Sequence, residues 1–193
     1  MDEDAFWRAV ESAGDRRFRA LEARLARLPV GDIVRFHTMM VEKCDRLLTC
    51  ELWEAAQIIT GAEVSEDNFY CFRPWVVALG REMFEWVLDD PDLLAEHPQV
   101  RRLAGMRGER WSDEDYPHAE ELLGVGEAAF EVVLAKLHPR YAALVEFPDA
   151  FERRPRGIPD ARWPAGFGEA GRLERLYPDL TELFAGGGKG QEV

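Results

Sequence analysis

Long hydrophobic runs and cysteines are scarce in this sequence, and basic residues are fewer than acidic ones. No apolar stretch in the 193 residues approaches the roughly 20 that a membrane-spanning helix needs. The N-terminal MDEDAFWRAV is acidic, whereas a secretory signal peptide begins with basic residues. These absences predict a cytoplasmic protein without a membrane span.

The residues from which metal and nucleophile sites are built are few and scattered. Cys44, Cys50 and Cys71 form no Cys-x-x-Cys pair, and we interpret them as reduced thiols buried as small hydrophobic residues. The four histidines have no zinc-ligand spacing. The chain also lacks a nucleophile elbow, a calcium loop and a strand before its GGGKG segment. The sequence therefore predicts no cofactor and no metal.

Acidic residues outnumber basic ones only in the middle of the chain. Residues 51–150 carry 8 Lys and Arg against 21 Asp and Glu, which accounts for the whole net charge of −13. Such a region repels phosphate backbones and anionic lipids, so the charge argues against nucleic acid and membranes. It favours a basic protein partner or a cationic ligand. The simpler interpretation is that the charge only keeps the protein soluble. Nothing in the pattern indicates an oligomeric state.

Apolar residues recur at helical spacing along most of the chain, and no stretch alternates with period two. This pattern predicts an all-α fold. We expect a single-domain, irregular helical bundle over residues 1–185. A long Pro/Gly-rich loop at 147–171 should precede a short C-terminal helix, Leu173–Phe184, and residues 186–193 should form a flexible tail.

Three helices are expected before residue 52. Asp2 or Asp4 can cap the first, and the second should run over 15–28. The third should begin at an Asp32 cap and continue to about Cys50.

The aromatic-rich stretch 52–91 is the predicted centre of the bundle. Gly61 should end one helix, and Ser65 should cap the next. Pro74 is expected to kink or split that helix because it removes a backbone donor and crowds the preceding turn. Gly80 should then form a hinge before a further helix.

Several segments of the chain follow one known pattern. They are D-x-FW at 4–7, LWEAAQIITG at 52–61, SEDNFYCFRPWVVALGRE at 65–82, PDLL at 91–94 and, more weakly, AEELLGVGEAAF at 119–130 and YPDLTELF at 177–184. Together they resemble the bacterial domain-of-unknown-function family 4240, found mainly in actinobacterial proteins. The chain departs from the family pattern at Glu66 and Asn68, where Asp and Gly are usual, and at Pro74, where Gly is common. The resemblance implies a mostly helical domain with no established activity.

The best candidate for chemistry is the turn carrying Glu66 and Asp67, with Arg73 further along the same segment. Two adjacent carboxylates beside aromatic residues could hold a cation or take part in acid–base chemistry. The alternative is structural, since carboxylates favour the start of a helix and Arg73 could form an ion pair.

Three tryptophans complete the predicted ligand or partner site. Trp7, Trp53 and Trp75 could line a pocket for a planar or apolar molecule. The alternative is that they pack in the hydrophobic core.

No complete catalytic constellation is present, so the sequence favours a non-enzymatic, acidic protein-interaction or regulatory module. The rival hypothesis is a small-molecule-binding protein or enzyme with its site around Glu66, Asp67 and Arg73. A third is an acidic immunity protein that neutralises a basic toxin.

Overall fold

The computed structural model describes residues 1–13, 18–61, 63–106, 111–112, 114–137, 147 and 163–186. Within these residues the chain forms helices and no strand, which confirms the all-α prediction. The helices are α1 (Glu3–Glu11), α2 (Phe18–Leu25), α3 (Val30–Arg46), α4 (Cys50–Thr60), α5 (Glu66–Ala78), α6 (Arg81–Asp89), a 3-10 helix (Pro91–Glu96), α7 (Pro98–Ala104), α8 (Glu120–Leu134), α9 (Arg172–Leu176) and α10 (Pro178–Gly186). Most of the predicted loop at 147–171 and residues 187–193 of the predicted tail lie outside the described residues.

Short polar side chains set where several helices begin. Asp2 accepts a hydrogen bond of 2.8 Å from the Ala5 amide, and Ser65 accepts one of 3.1 Å from the Asn68 amide. Both arrangements satisfy an amide that the first helical turn leaves without a carbonyl partner, as the sequence predicted. Gly61 ends α4 in the left-handed conformation (φ 66°), which costs glycine little.

The boundary between α3 and α4 differs from the prediction. The third helix starts earlier than expected, at Val30, so that Asp32 lies in its first turn instead of capping it. It also ends earlier, at Arg46, because Thr49 begins a new helix by accepting a hydrogen bond of 3.1 Å from the Leu52 amide. A threonine cap therefore ends α3 before the predicted boundary near Cys50, and Cys50 is instead the first residue of α4.

Helix α5 runs through Pro74 without being split. The structure thus resolves the choice between a kinked and a divided segment in favour of one helix, although Pro74 has no amide hydrogen to donate within it. The predicted break comes at Gly80, whose positive φ of 104° turns the chain from α5 into α6. Phe69, Phe72 and Val76 are buried, so α5 lies in the core as the sequence indicated.

Helix α8 crosses α2, α3 and α5 and closes one side of the core. It approaches α3 closely at Gly126, where a Cβ atom would lie 2.9 Å from the Cβ of His37. Only glycine allows this spacing without movement of a neighbour, because real Cβ atoms do not come so close.

Two buried carboxylates attach the C-terminal helices to the bundle. Asp92 accepts hydrogen bonds of 3.0 Å and 2.8 Å from the amides of Asp179 and Leu180, so it caps the first turn of α10. Glu54 on α4 accepts hydrogen bonds from the side chains of Arg172 and Tyr177. The single C-terminal helix expected from the sequence is two helices, α9 and α10, with Tyr177 between them.

Candidate functional site

The carboxylates and the arginine of the predicted site lie in different environments. Glu66 and Asp67 are exposed in the first turn of α5, where Ser65 caps the helix. Arg73 is buried, with 2% of its surface exposed. Six residues of helix between Asp67 and Arg73 correspond to a rise of about 9 Å along the axis. Helix α5 therefore carries the two carboxylates at its solvent end and the arginine in its interior part.

Arg73 contacts the end of α3. Its Nη1 donates a hydrogen bond of 3.2 Å to the carbonyl oxygen of Cys44, in the last turn of that helix. Its guanidinium carbon lies 5.6 Å from the ring centroid of Phe69 and 5.5 Å from that of Tyr70. A cation at a helix C-terminus and over aromatic rings is favourable. Burial lowers the pKa of Arg73, and the nearby charge of Asp45 acts in the opposite direction.

The three predicted tryptophans are all buried, and each contacts aromatic neighbours. The ring centroid of Trp7 lies 5.1 Å from that of Phe84, and Trp53 lies 4.7 Å from Phe69. Trp75 is 5.1 Å from Phe72. These contacts match the core-packing interpretation of the tryptophans.

Trp75 also forms part of the wall of a surface cleft of about 770 Å³. The cleft is lined further by Phe18, Ala78, Leu79, His97, Pro98, Gln99, Arg102, Glu114, Asp115 and Ala119. Asp115 is fixed at this wall because it accepts two hydrogen bonds from Ser112, at 3.0 Å and 2.7 Å, and one of 2.6 Å from Arg102. These bonds lower the pKa of Asp115 to about 2. The charged groups of the cleft thus include a carboxylate and a guanidinium that already bind each other.

A second, smaller cavity of about 310 Å³ lies between α4, α5 and the segment before α8. We name it the Cys71 pocket. It is lined by Ala56, Thr60, Val64, Asn68, Cys71, Phe72, Tyr116, Pro117 and His118. The segment before α8, residues 116–118, forms the third wall of the pocket. The Ala119 amide donates a hydrogen bond of 3.0 Å to the Cys71 carbonyl, which joins this wall to α5. No local pattern in the sequence indicates this pocket, because residues 116–118 reach it only through the tertiary fold.

Helix α6 carries an exposed tryptophan among carboxylates. Trp86 has 41% of its surface exposed, whereas the Met83, Phe84 and Val87 side chains of the same helix are buried. We name the residues on its outer side, Glu82, Glu85, Trp86 and Asp89, the α6 face. Its signal was available in the sequence: one aromatic residue falls on the polar side of an otherwise regular amphipathic helix.

The described residues contain neither a metal-binding cluster nor a membrane-spanning helix. No group of three or more His, Cys, Asp or Glu residues among them is placed to hold a metal ion. None of the described helices is long and apolar enough to span a membrane.

The model of a family described as "Protein of unknown function (DUF4240)" matches residues 1–132. No curated protein and no solved structure matches the chain. The matched part contains α1 to α7, nearly all of α8, the α6 face and the Cys71 pocket, and it ends before α9 and α10.

Proposed function

The chain belongs to DUF4240, a family of proteins of unknown function, and we propose that this member binds a basic segment of another protein on the α6 face. The observation that carries the proposal is Trp86, which is 41% exposed on a helix whose other exposed residues include three carboxylates. An isolated exposed apolar residue needs no explanation. An exposed indole flanked by carboxylates can instead attract a cation through both the ring and the negative charges.

The spacing on α6 suits an arginine or lysine side chain. Glu82 lies four residues before Trp86 and Asp89 three residues after it, so all three side chains are neighbours on the helix surface. A cation placed over the indole face is attracted by the ring, and the two carboxylates flank the same position. A basic partner would therefore find aromatic and ionic contacts together.

The α6 face is held in place by an ion-pair network with α1. Arg81 donates hydrogen bonds of 2.8 Å to both Glu85 and Asp4. This network engages Glu85, whereas no ion pair of Glu82 or Asp89 is found in the part of the chain that the structure describes. Those two carboxylates are the ones that we expect to bind the partner.

The placement of Glu66, Asp67 and Arg73 lends less support to the rival small-molecule or enzymatic site. The carboxylates are exposed at the start of α5, while the guanidinium is buried against the Cys44 carbonyl. A reaction that needs both a carboxylate and the arginine would require them to meet at one substrate.

Titration calorimetry with a short arginine-rich peptide tests the proposal. We expect Trp86→Ala, and separately the pair Glu82→Gln with Asp89→Asn, to weaken binding at least tenfold. The matched control is Glu120→Gln with Glu121→Gln, which removes the same charge from exposed positions on α8. It should change the affinity by less than a factor of two at 0.15 M salt, where distant charges are screened. Equal losses in both pairs would show that only net charge matters and would refute the α6 face.

A further inference from the structure

We infer that the Cys71 pocket binds a small, uncharged, largely apolar molecule, with the Cys71 thiol as a modifiable group on its wall. This inference is independent of the α6 face, because the two sites share no residue. The pocket's volume of about 310 Å³ is at the lower end of the range for small-molecule sites.

The chemistry of the wall indicates an uncharged ligand. No Asp, Glu, Lys or Arg is among the described residues that line the pocket, although the chain has a net charge of −13. An ionised ligand would lose its hydration there without gaining a charged partner, which is costly. Most of the wall is apolar: Ala56, Val64, Phe72 and Pro117 are all buried.

A few polar groups sit among these apolar residues. Asn68 and Cys71 are three residues apart on α5, so they share one side of the helix, and His118 approaches from the segment before α8. An apolar pocket with a small number of hydrogen-bonding groups is the usual form of a small-molecule site. The ligand that fits is a ring or short apolar group with one neutral hydrogen-bonding atom.

The third wall of the pocket is fixed before any ligand binds. On one side, the Cys71 carbonyl on α5 accepts the hydrogen bond from the Ala119 amide. On the other side, the ring of Tyr116 lies edge-on to Trp111 at a centroid distance of 5.7 Å. A wall held at both ends reduces the ordering cost of binding.

Cys71 differs from the other two cysteines in its access to solvent. Cys44 and Cys50 are buried, whereas Cys71 is partly exposed at the pocket. Burial raises the pKa of Cys44 to about 12, which keeps that thiol protonated and unreactive. A soluble thiol reagent should therefore report on the pocket through Cys71.

The first test uses N-phenyl-1-naphthylamine, an uncharged apolar fluorophore. We expect one saturable site in the wild type and at least a tenfold weaker affinity in Cys71→Phe, which places a ring inside the cavity. Gln57→Phe adds the same ring on α4 at a position that does not line the pocket, and it should bind as the wild type does. Circular dichroism melts of each variant verify that it is folded. No binding to the wild type, or equal binding to Cys71→Phe and Gln57→Phe, would overturn the inference.

The second test does not depend on a substitution that fills the pocket. N-ethylmaleimide should modify Cys71 in the native chain, and saturating fluorophore should slow this reaction at least threefold. The rate of Cys71 with iodoacetamide divided by its rate with the anionic iodoacetate should be at least tenfold larger than the same ratio for free cysteine. This preference for the neutral reagent should persist in 0.5 M salt. An unchanged maleimide rate, or a preference abolished by salt, would contradict an uncharged binding site. Trp86→Ala should leave both measurements unchanged, which separates this inference from the proposed function.

Discussion

The carboxylate of Glu54 accepts a hydrogen bond of 2.8 Å from the phenol of Tyr177, which lies 123 residues further along the chain. Both side chains are buried, and Arg172 donates to the same carboxylate. Burial raises the pKa of Tyr177, and the hydrogen bond to Glu54 raises it further. The arrangement keeps the phenol protonated and gives the Glu54 charge two donors.

Replacing Glu54 by Gln should destabilise the fold by about 2–4 kcal/mol. The change removes the charge that Arg172 pairs with and weakens the bond to Tyr177, both in a buried setting. Urea denaturation measures the loss. Glu51→Gln on the same helix is the control, and it should cost less than about 0.5 kcal/mol because Glu51 is exposed. Equal costs would mean that the buried network adds nothing.

A double-mutant cycle between Glu54→Gln and Tyr177→Phe isolates their contact. Because the two side chains touch, we expect a coupling free energy of about 1–3 kcal/mol. The cycle is read from the same denaturation curves. Strictly additive effects would contradict the hydrogen bond.

Two glycines two residues apart in α8, and so on different sides of the helix, should respond oppositely to alanine. Gly126→Ala should destabilise by about 1–3 kcal/mol, because its Cβ would lie 2.9 Å from the Cβ of His37 and α3 must move to admit it. Gly124→Ala meets no atom within 4 Å and should stabilise by up to about 1 kcal/mol, since alanine favours the helix. Thermal melts compare the two variants. A stabilising Gly126→Ala would show that α3 and α8 are further apart than the structure has them.

The stability of the chain should depend on Asp115 in acid. Its pKa falls from an ordinary 3.8 to about 2 because Ser112 and Arg102 donate to the carboxylate. A lowered pKa in the folded state means that the stabilisation is fully present above about pH 4 and is lost as the pH falls towards 2. Asp115→Asn should remove this contribution, so the difference in unfolding free energy between wild type and variant should shrink across that interval. Urea titrations at pH 6, 4, 3 and 2.5 measure it.

If the difference in unfolding free energy between wild type and Asp115→Asn stayed constant from pH 6 to 2.5, the lowered pKa of Asp115 would be contradicted. Glu114→Gln provides the control, because Glu114 is the exposed neighbour of Asp115 and its variant should follow the wild-type pH dependence.

Asp92→Asn should loosen the C-terminal helices. One carboxylate oxygen of Asp92 accepts a hydrogen bond from the Asp179 amide, and the other accepts one from the Leu180 amide. The asparagine side chain has only one oxygen that can accept. We expect a loss of about 1–2 kcal/mol, as for other helix caps. Faster hydrogen exchange at the amides of 179 and 180 would locate the effect. Asp89→Asn, at an exposed position, should leave those amides unchanged.

Short-range signals in the sequence were enough for the helix class and for several helix ends. Ser65 and Gly61 have the predicted roles, because a cap depends only on residues within one turn. Thr49 was missed as a cap although its chemistry is equally local, and the third helix was therefore predicted to end near Cys50 instead of at Arg46. Periodicity therefore located helices more reliably than it separated them.

Long-range pairings were beyond the sequence. The residues that hold the carboxylates of Glu54 and Asp92 lie more than 80 positions away, so no local pattern relates them. For the candidate site, the sequence placed Glu66, Asp67 and Arg73 in one segment but could not show that Arg73 faces the end of α3. Orientation of a helix about its own axis is decided by what packs against it.

The exposure of Trp86 gives the protein an optical reporter at the proposed docking position. All six tryptophans lie within the described residues, and Trp86 is the most exposed of them. Its emission should form the red edge of the spectrum, and the surrounding carboxylates should make caesium a better collisional quencher of that edge than iodide. A basic ligand seated over the indole would shift the edge to the blue and reverse that order, so occupancy can be followed without a label.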